Sequence, residues 1–143
     1  MIQKQTYFQW DEKYNIGIEE IDMQHRRLVQ MVNELYSAMY AGEGRDVLGD
    51  VLGGLLLYTK IHFQTEERFM KKHNFPEFIS HQQIHEKMKT RVLELKKKFE
   101  EGKISNPVQI SNFLKAWLIK HILKTDMKYA YFYKTKKKSE AGK

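Results

Sequence analysis

Apolar residues recur along this chain at alternating spacings of three and four, and histidines occupy places in that pattern that a packed core would give to leucine. In the first such stretch Ile18, Ile21, Leu28, Val32, Leu35 and Met39 share one face, and His25 fills the gap between Ile21 and Leu28. Glu19, Glu20, Gln24, Arg26, Arg27, Gln30 and Glu34 fall on the other faces, as in an amphipathic helix. The second stretch runs Leu48, Leu52, Leu55, Thr59, His62, Glu66, Phe69; the third Phe78, His81, His85, Met88, Val92, Leu95, Phe99. The fourth runs Ile110, Leu114, Trp117, His121, with Leu118 and Ile122 beside it. Three-four alternation is the seam of a left-handed bundle whose helices cross at about 20°.

The segments are separated by Gly42-Glu43-Gly44, by His73-Asn74-Phe75-Pro76 and by Gly102 to Asn106, with Asn106 as an N-cap and Pro107 as first helical residue. Connections this short force antiparallel neighbours. The expected fold is all-α: an antiparallel up-down-up-down four-helix bundle, one domain over 1–143, with an N-terminal arm over 1–17 and a basic tail over 134–143. Gly53-Gly54 conflicts with its helix, each glycine costing about 1 kcal/mol against alanine; close helix approach or a kink would account for it.

With no cysteine, disulfides, iron–sulfur clusters and thiolate sites are excluded, so a metal would have to be held by His, Asp and Glu. No apolar run is long enough to span a bilayer, and the N-terminus lacks a charged-then-apolar leader, so a cytoplasmic protein is expected. Much of the net charge of +7 lies in Lys134, Lys136, Lys137, Lys138 and Lys143. The tail reads as a solvated, frayed end, and the helices carry mixed charges without a basic stripe, so no nucleic-acid partner is expected.

His25, His62, His81, His85 and His121 all fall on buried seams, as does Glu66. Burying them without partners costs several kcal/mol, and a metal is the simplest compensation. His62 and Glu66 are four apart, as are His81 and His85; four residues advance about 6 Å and overshoot a full turn by about 40°, so each pair points one way. Asp126 is the candidate second carboxylate, but five residues beyond His121 it stands about 140° round an ideal helix. It rejoins the seam only if the helix ends or carries a π-type bulge there. Five imidazoles and two carboxylates exceed the four ligands of a structural zinc and fit two metals; iron, zinc and manganese all suit such donors. The absence of any Glu-x-x-His points away from the carboxylate-rich ferritin-type site.

At these residues the chain resembles the hemerythrin family. The matching stretches are Asn15-Ile16-Gly17-Ile18, Asp22-Met23-Gln24-His25, His62-Phe63-Gln64-Thr65-Glu66-Glu67, His81-Gln82-Gln83-Ile84-His85 and His121-Ile122-Leu123-Lys124-Thr125-Asp126, with the aromatic arm Tyr7-Phe8-Gln9-Trp10 before them. The resemblance spans about Phe8 to Tyr133. It implies a non-haem di-iron centre, with His81, His85 and His121 on one iron and His25 and His62 on the other. Glu66, Asp126 and a solvent-derived oxo or hydroxo group would bridge the two. It also implies reversible binding of molecular oxygen at the iron with fewer ligands, in a carrier, storage or delivery protein that is not an enzyme. Leu28, Phe63, Trp117 and Leu118 are placed to form a dry pocket for oxygen over the iron with the open position.

Other readings stand beside these. Glu67 lies off the seam and is expected to face solvent, and His73, after Lys71-Lys72, to lie at the surface. Asp22 reads either as a hydrogen-bonding partner of a ligand or as a surface aspartate near a helix start. Functionally, the alternatives are an oxygen or redox sensor acting through a separate partner, a di-iron enzyme handling peroxide or nitric oxide, and a dizinc hydrolase. The protein acceptor, if any, is not legible.

Overall fold

The computed structural model describes residues 6–43, 45–104 and 106–141. Residues 1–5 of the arm, Gly44 and Ser105 of the connections, and Gly142 and Lys143 of the tail therefore lie outside it. Every regular element among the described residues is helical: α1 (Glu19–Tyr40), α2 (Arg45–Lys72), α3 (Phe78–Glu100) and α4 (Val108–Lys120), the last running on through a π-helical segment (His121–Asp126) into α5 (Met127–Ala141). A 3-10 turn, Glu12–Tyr14, lies in the arm. Helix α1 packs on α2 and α4, and α2 on α3, which is the up-down-up-down bundle the seams predict.

The seam residues are the core. Ile21, Leu28, Val32 and Leu35 of α1, Leu48, Leu52 and Leu55 of α2, Met88, Val92 and Phe99 of α3, and Ile110 and Leu114 of α4 are all buried. Most of them fill the half of the bundle away from the histidines, while Ile21, Leu28 and Met88 flank the histidines along their helices. Helices α1 and α3 stop alike: Gly42 (φ 74) and Gly102 (φ 72) take the left-handed conformation after the last turn, and the next residue's N–H returns to Ala38 O and Lys98 O respectively. Helix α4 begins one residue later than expected, but Asn106 still caps it, its Oδ1 accepting from Val108 N at 3.1 Å. Gly53 and Gly54 have no neighbour within 4 Å of where a Cβ would stand, so close helix approach is not their reason.

The arm is a clamp. Asn33 of α1 pairs with both backbone groups of Phe8, accepting from its N–H and donating to its carbonyl at 2.8 Å each. Lys115 of α4 donates to Tyr7 O at 2.7 Å, and Tyr7 stacks on Tyr36 of α1 at 3.9 Å. Asp22 is buried and accepts from Ile16 N (2.8 Å) and Gly17 N (3.0 Å), tying the arm to the first turn of α1. Neither expected role for Asp22 holds: it is no surface group, and its recorded partners are backbone amides of the arm. The basic tail is exposed for most of its length, as expected, but it is not frayed, since residues 134–141 continue α5 as helix. Lys136 Nζ donates to His73 O at 3.2 Å, covering a carbonyl just past the end of α2.

Candidate metal centre

The antiparallel order brings one end of each helix to the same level: the start of α1 (His25), the end of α2 (His62, Glu66), the start of α3 (His81, His85) and the end of the fourth helix (His121, Asp126). All seven side chains are buried, none more than 3% exposed. Asp126 reaches the cluster because the stretch His121–Asp126 is π-helical. Where backbone bonding runs i to i+5, residues five apart stand one above the other, which recovers the turn lost by an α-helical count.

The same ring nitrogen, Nε2, points inward from all five histidines, and each carboxylate divides its oxygens between two groups of rings. Glu66 Oε2 lies 3.1 Å from His81 Nε2, 3.1 Å from His85 Nε2 and 3.6 Å from His121 Nε2. Glu66 Oε1 faces the other pair, 3.3 Å from His25 Nε2 and in contact with His62 Nε2. Asp126 repeats the division: Oδ1 is 2.9 Å from His121 and 3.2 Å from His81, and Oδ2 is 3.0 Å from His25. The donor atoms thus form two sets, Glu66–His81–His85–His121–Asp126 and His25–His62–Glu66–Asp126, each lying within 4.8 Å of one another.

The donors aim at shared points more than at one another. Both oxygens of Asp126 and Nε2 of His62 are buried without a hydrogen-bond partner among the described residues, despite the short separations. The Nε2 atoms of His85 and His121 face each other at 3.2 Å, a geometry that needs a proton or a cation between them. The residues present therefore fit a pair of cations bridged by two carboxylates.

Without metal the cluster balances its charge with protons. Burial works against protonated His25, but the adjacent Asp126 and Glu66 carboxylates outweigh it and raise its pKa to about 9. The same contest raises His121 to about 10, and raises His81 as well. In His62 burial wins and the pKa falls. Burial opposes ionised Glu66, yet His62, His121 and His25 hold its carboxyl well below the usual range. Asp126 is likewise lowered, burial and Glu66 being outweighed by His121 and His25.

Two residues missing from the sequence-derived set orient these rings. Gln24 Oε1 lies 2.6 Å from His62 Nδ1 and Gln24 Nε2 donates to Thr65 Oγ1 at 3.1 Å, so the amide accepts the Nδ1 proton and leaves the Nε2 lone pair free. Glu67, expected in solvent, turns to α3: its Oε2 lies 3.1 Å from His85 Nδ1, and its Oε1 accepts from Gln82 Nε2 at 2.9 Å. The signal was the adjacent Glu66-Glu67: one residue on is about 100° round the helix, which turns Glu67 toward the neighbouring helix that carries His85. His73 stays out of the cluster, half-buried between Phe69 and Tyr133.

Of the expected oxygen-pocket residues, Phe63 stacks on His85 (ring centroids 3.9 Å, 5° between planes) and Trp117 on His121 (4.3 Å, 15°). Both therefore lie against the three-imidazole set and not, as expected, over the two-imidazole side, to which Phe63 alone reaches, meeting the His62 ring at 6.1 Å. Leu28 and Leu118 are buried in the same core.

Fold and donor set together define a helical-bundle domain with a buried cluster that could hold metal cations. The profile of the hemerythrin HHE cation binding domain matches residues 16–132. The chain is 36% identical over 122 residues to a bacteriohemerythrin of Stenotrophomonas maltophilia, covering 85% of this chain and 78% of that one. It is 33% identical over 115 residues to a bacteriohemerythrin of Methylococcus capsulatus, covering 80% and 86%. The crystal structure of a wild-type hemerythrin superposes with a TM-score of 0.81 at 30% identity, covering 87% of this chain and 95% of that chain. This chain belongs to the hemerythrin family. No helix among the described residues is long and apolar enough to cross a membrane.

Proposed function

We propose that this chain holds two iron ions and binds molecular oxygen reversibly, as a carrier, store or delivery protein. The observation that carries the reading is the division of carboxylate oxygens: Glu66 and Asp126 each turn one oxygen to the three-imidazole set and the other to the His25–His62 set. His81, His85 and His121 would hold one iron, His25 and His62 the second, and the two carboxylates would bridge them. A pair of irons so held supplies the two electrons that reversible oxygen binding needs.

The chain's own residues do the rest. The set with only two imidazoles is one donor poorer, and it is the side we assign to oxygen. Gln24 and Glu67 fix the tautomers of His62 and His85, so that Nε2 is the coordinating atom at both. Phe63, Trp117, Leu28 and Leu118 pack the centre with groups that do not titrate near neutral pH. That lining excludes water and offers no general acid, which favours release of oxygen over its reduction. We assign no catalytic residue on this basis.

The reading is tested with an oxygen electrode. Anaerobically reduced, iron-loaded protein should take up one oxygen molecule per two irons and give it back under vacuum. Uptake that is irreversible, or that consumes oxygen continuously with a reductant present, supports the enzyme reading instead.

A further inference from the structure

A surface groove lies at the end of the bundle where α5 passes the α2–α3 connection, lined by Phe75, Pro76, Phe132 and the exposed Tyr131, with Lys128 and Lys136 on its rim. Glu77 is the acidic residue in that lining. Further lysines are near in sequence, with Lys72 ending α2 and Lys137 and Lys138 following on α5, and Glu140 is the acidic residue of that stretch. Lys136 Nζ reaches the carbonyl of His73 at 3.2 Å, so this cation stands beside the end of α2 as well as at the groove.

From the groove a line of rings runs inward to the centre. Phe132 meets Phe75 at 5.5 Å, Phe75 meets Tyr129 at 6.2 Å, and Tyr129 meets His81 at 5.3 Å between ring centroids. Tyr129 is fully buried, and its hydroxyl has no hydrogen-bond partner among the described residues.

We infer that this groove docks an acidic one-electron donor protein, and that the rings from Phe132 to His81 form the packed path by which the centre is re-reduced. The inference rests on the di-iron reading above. A carrier whose irons have slipped to the ferric state is useless until they are reduced, and a closed core bars large reductants from direct contact. Two donor molecules give up one electron each, both irons pass from ferric to ferrous, and a solvent proton goes to the solvent-derived bridge. An apolar, aromatic floor with a cationic rim suits an acidic protein surface better than a phosphate backbone, because the floor contributes desolvation as well as charge.

Flavodoxin, a strongly acidic one-electron donor protein, serves as the probe. Binding to the diferric protein is measured by calorimetry, and anaerobic reduction by stopped flow. The double variant Lys128→Glu/Lys137→Glu should weaken binding and slow reduction by about tenfold at low salt; Tyr131→Ala should weaken binding with little change in salt dependence. Both the affinity and the reduction rate should fall as ionic strength rises from about 0.01 M to about 0.15 M. Reduction by dithionite should be unchanged in every variant. Lys60→Glu, a charge reversal on α2 away from the groove, is the control. The proposal is overturned if the double variant behaves like the control, or if a DNA oligonucleotide binds this face and flavodoxin does not. Loss of flavodoxin binding in the double variant, in a protein without reversible oxygen uptake, supports the docking surface and rejects the carrier reading.

Discussion

Replacing Glu67 by alanine removes no proposed metal donor, yet it should weaken metal binding by roughly ten- to a hundredfold. The magnitude follows from two contacts. Glu67 Oε2 sits 3.1 Å from Nδ1 of the buried His85, and Oε1 is fixed by Gln82 at 2.9 Å, so the carboxylate holds the ring with Nε2 inward. A hydrogen bond to a charged group is worth about 1.5–3 kcal/mol, and about 1.4 kcal/mol is a factor of ten in affinity. Glu67→Gln keeps an acceptor for the Nδ1 proton and should recover most of the loss, whereas Glu67→Ala leaves that proton buried and unpaired. The assay is competition for ferrous iron against a chelator under anaerobic conditions, with the thermal midpoint of the metal-free protein as a folding control. A change below twofold in Glu67→Ala would refute the claim that Glu67 positions His85.

Three further outcomes are expected. His62→Ala or His121→Ala should lower bound iron well below two per chain, counted by metal analysis; an unchanged count removes that residue from the donor set. In the metal-free protein His25 and His121 have folded pKa values of about 9 and about 10 against an ordinary value of 6.5. The folded state therefore binds more protons above pH 6.5, so their contribution is fully present below that pH and is lost as pH rises through 9 and 10. Thermal melts should fall across that window by up to about 1.4 kcal/mol per pH unit for each histidine, and metal uptake at neutral pH should release protons; a flat profile contradicts the charge balance. Leu118→Tyr places a hydroxyl in the core one turn before His121 and should speed autoxidation, followed as loss of the oxygenated spectrum; an unchanged rate places the oxygen pocket elsewhere.

The bundle and most of the donor set were legible because both are written in one period. A histidine at a seam position, such as His25 between Ile21 and Leu28, declares itself against apolar neighbours. Asp126 was harder, because its place depends on backbone bonding: an α-helical count turns it away, and only the π-helical His121–Asp126 segment turns it back. Gln24 and Glu67 escaped because their roles are set by what lies across the helix interface, on His62 and His85: the period along α2 turns Glu67 off the seam but does not say which residue of the facing helix it meets. Asp22 escaped for the same reason, its partners being arm amides. The tail is solvated as its lysine-rich composition indicates, but composition does not show its helix, which α5 carries outward from Tyr129 and Ala130 buried in the core and from Lys136 reaching His73 O.

The central claim is that seven buried side chains hold two irons that bind oxygen reversibly. The most direct test is an ultraviolet–visible spectrum of the iron-loaded protein, reduced anaerobically, exposed to air and then degassed, with iron counted on the same sample. The account predicts two irons per chain and a visible charge-transfer band that appears with oxygen and fades on degassing. A colourless protein carrying zinc, or a band that forms once and never reverses, would contradict it while leaving the bundle intact.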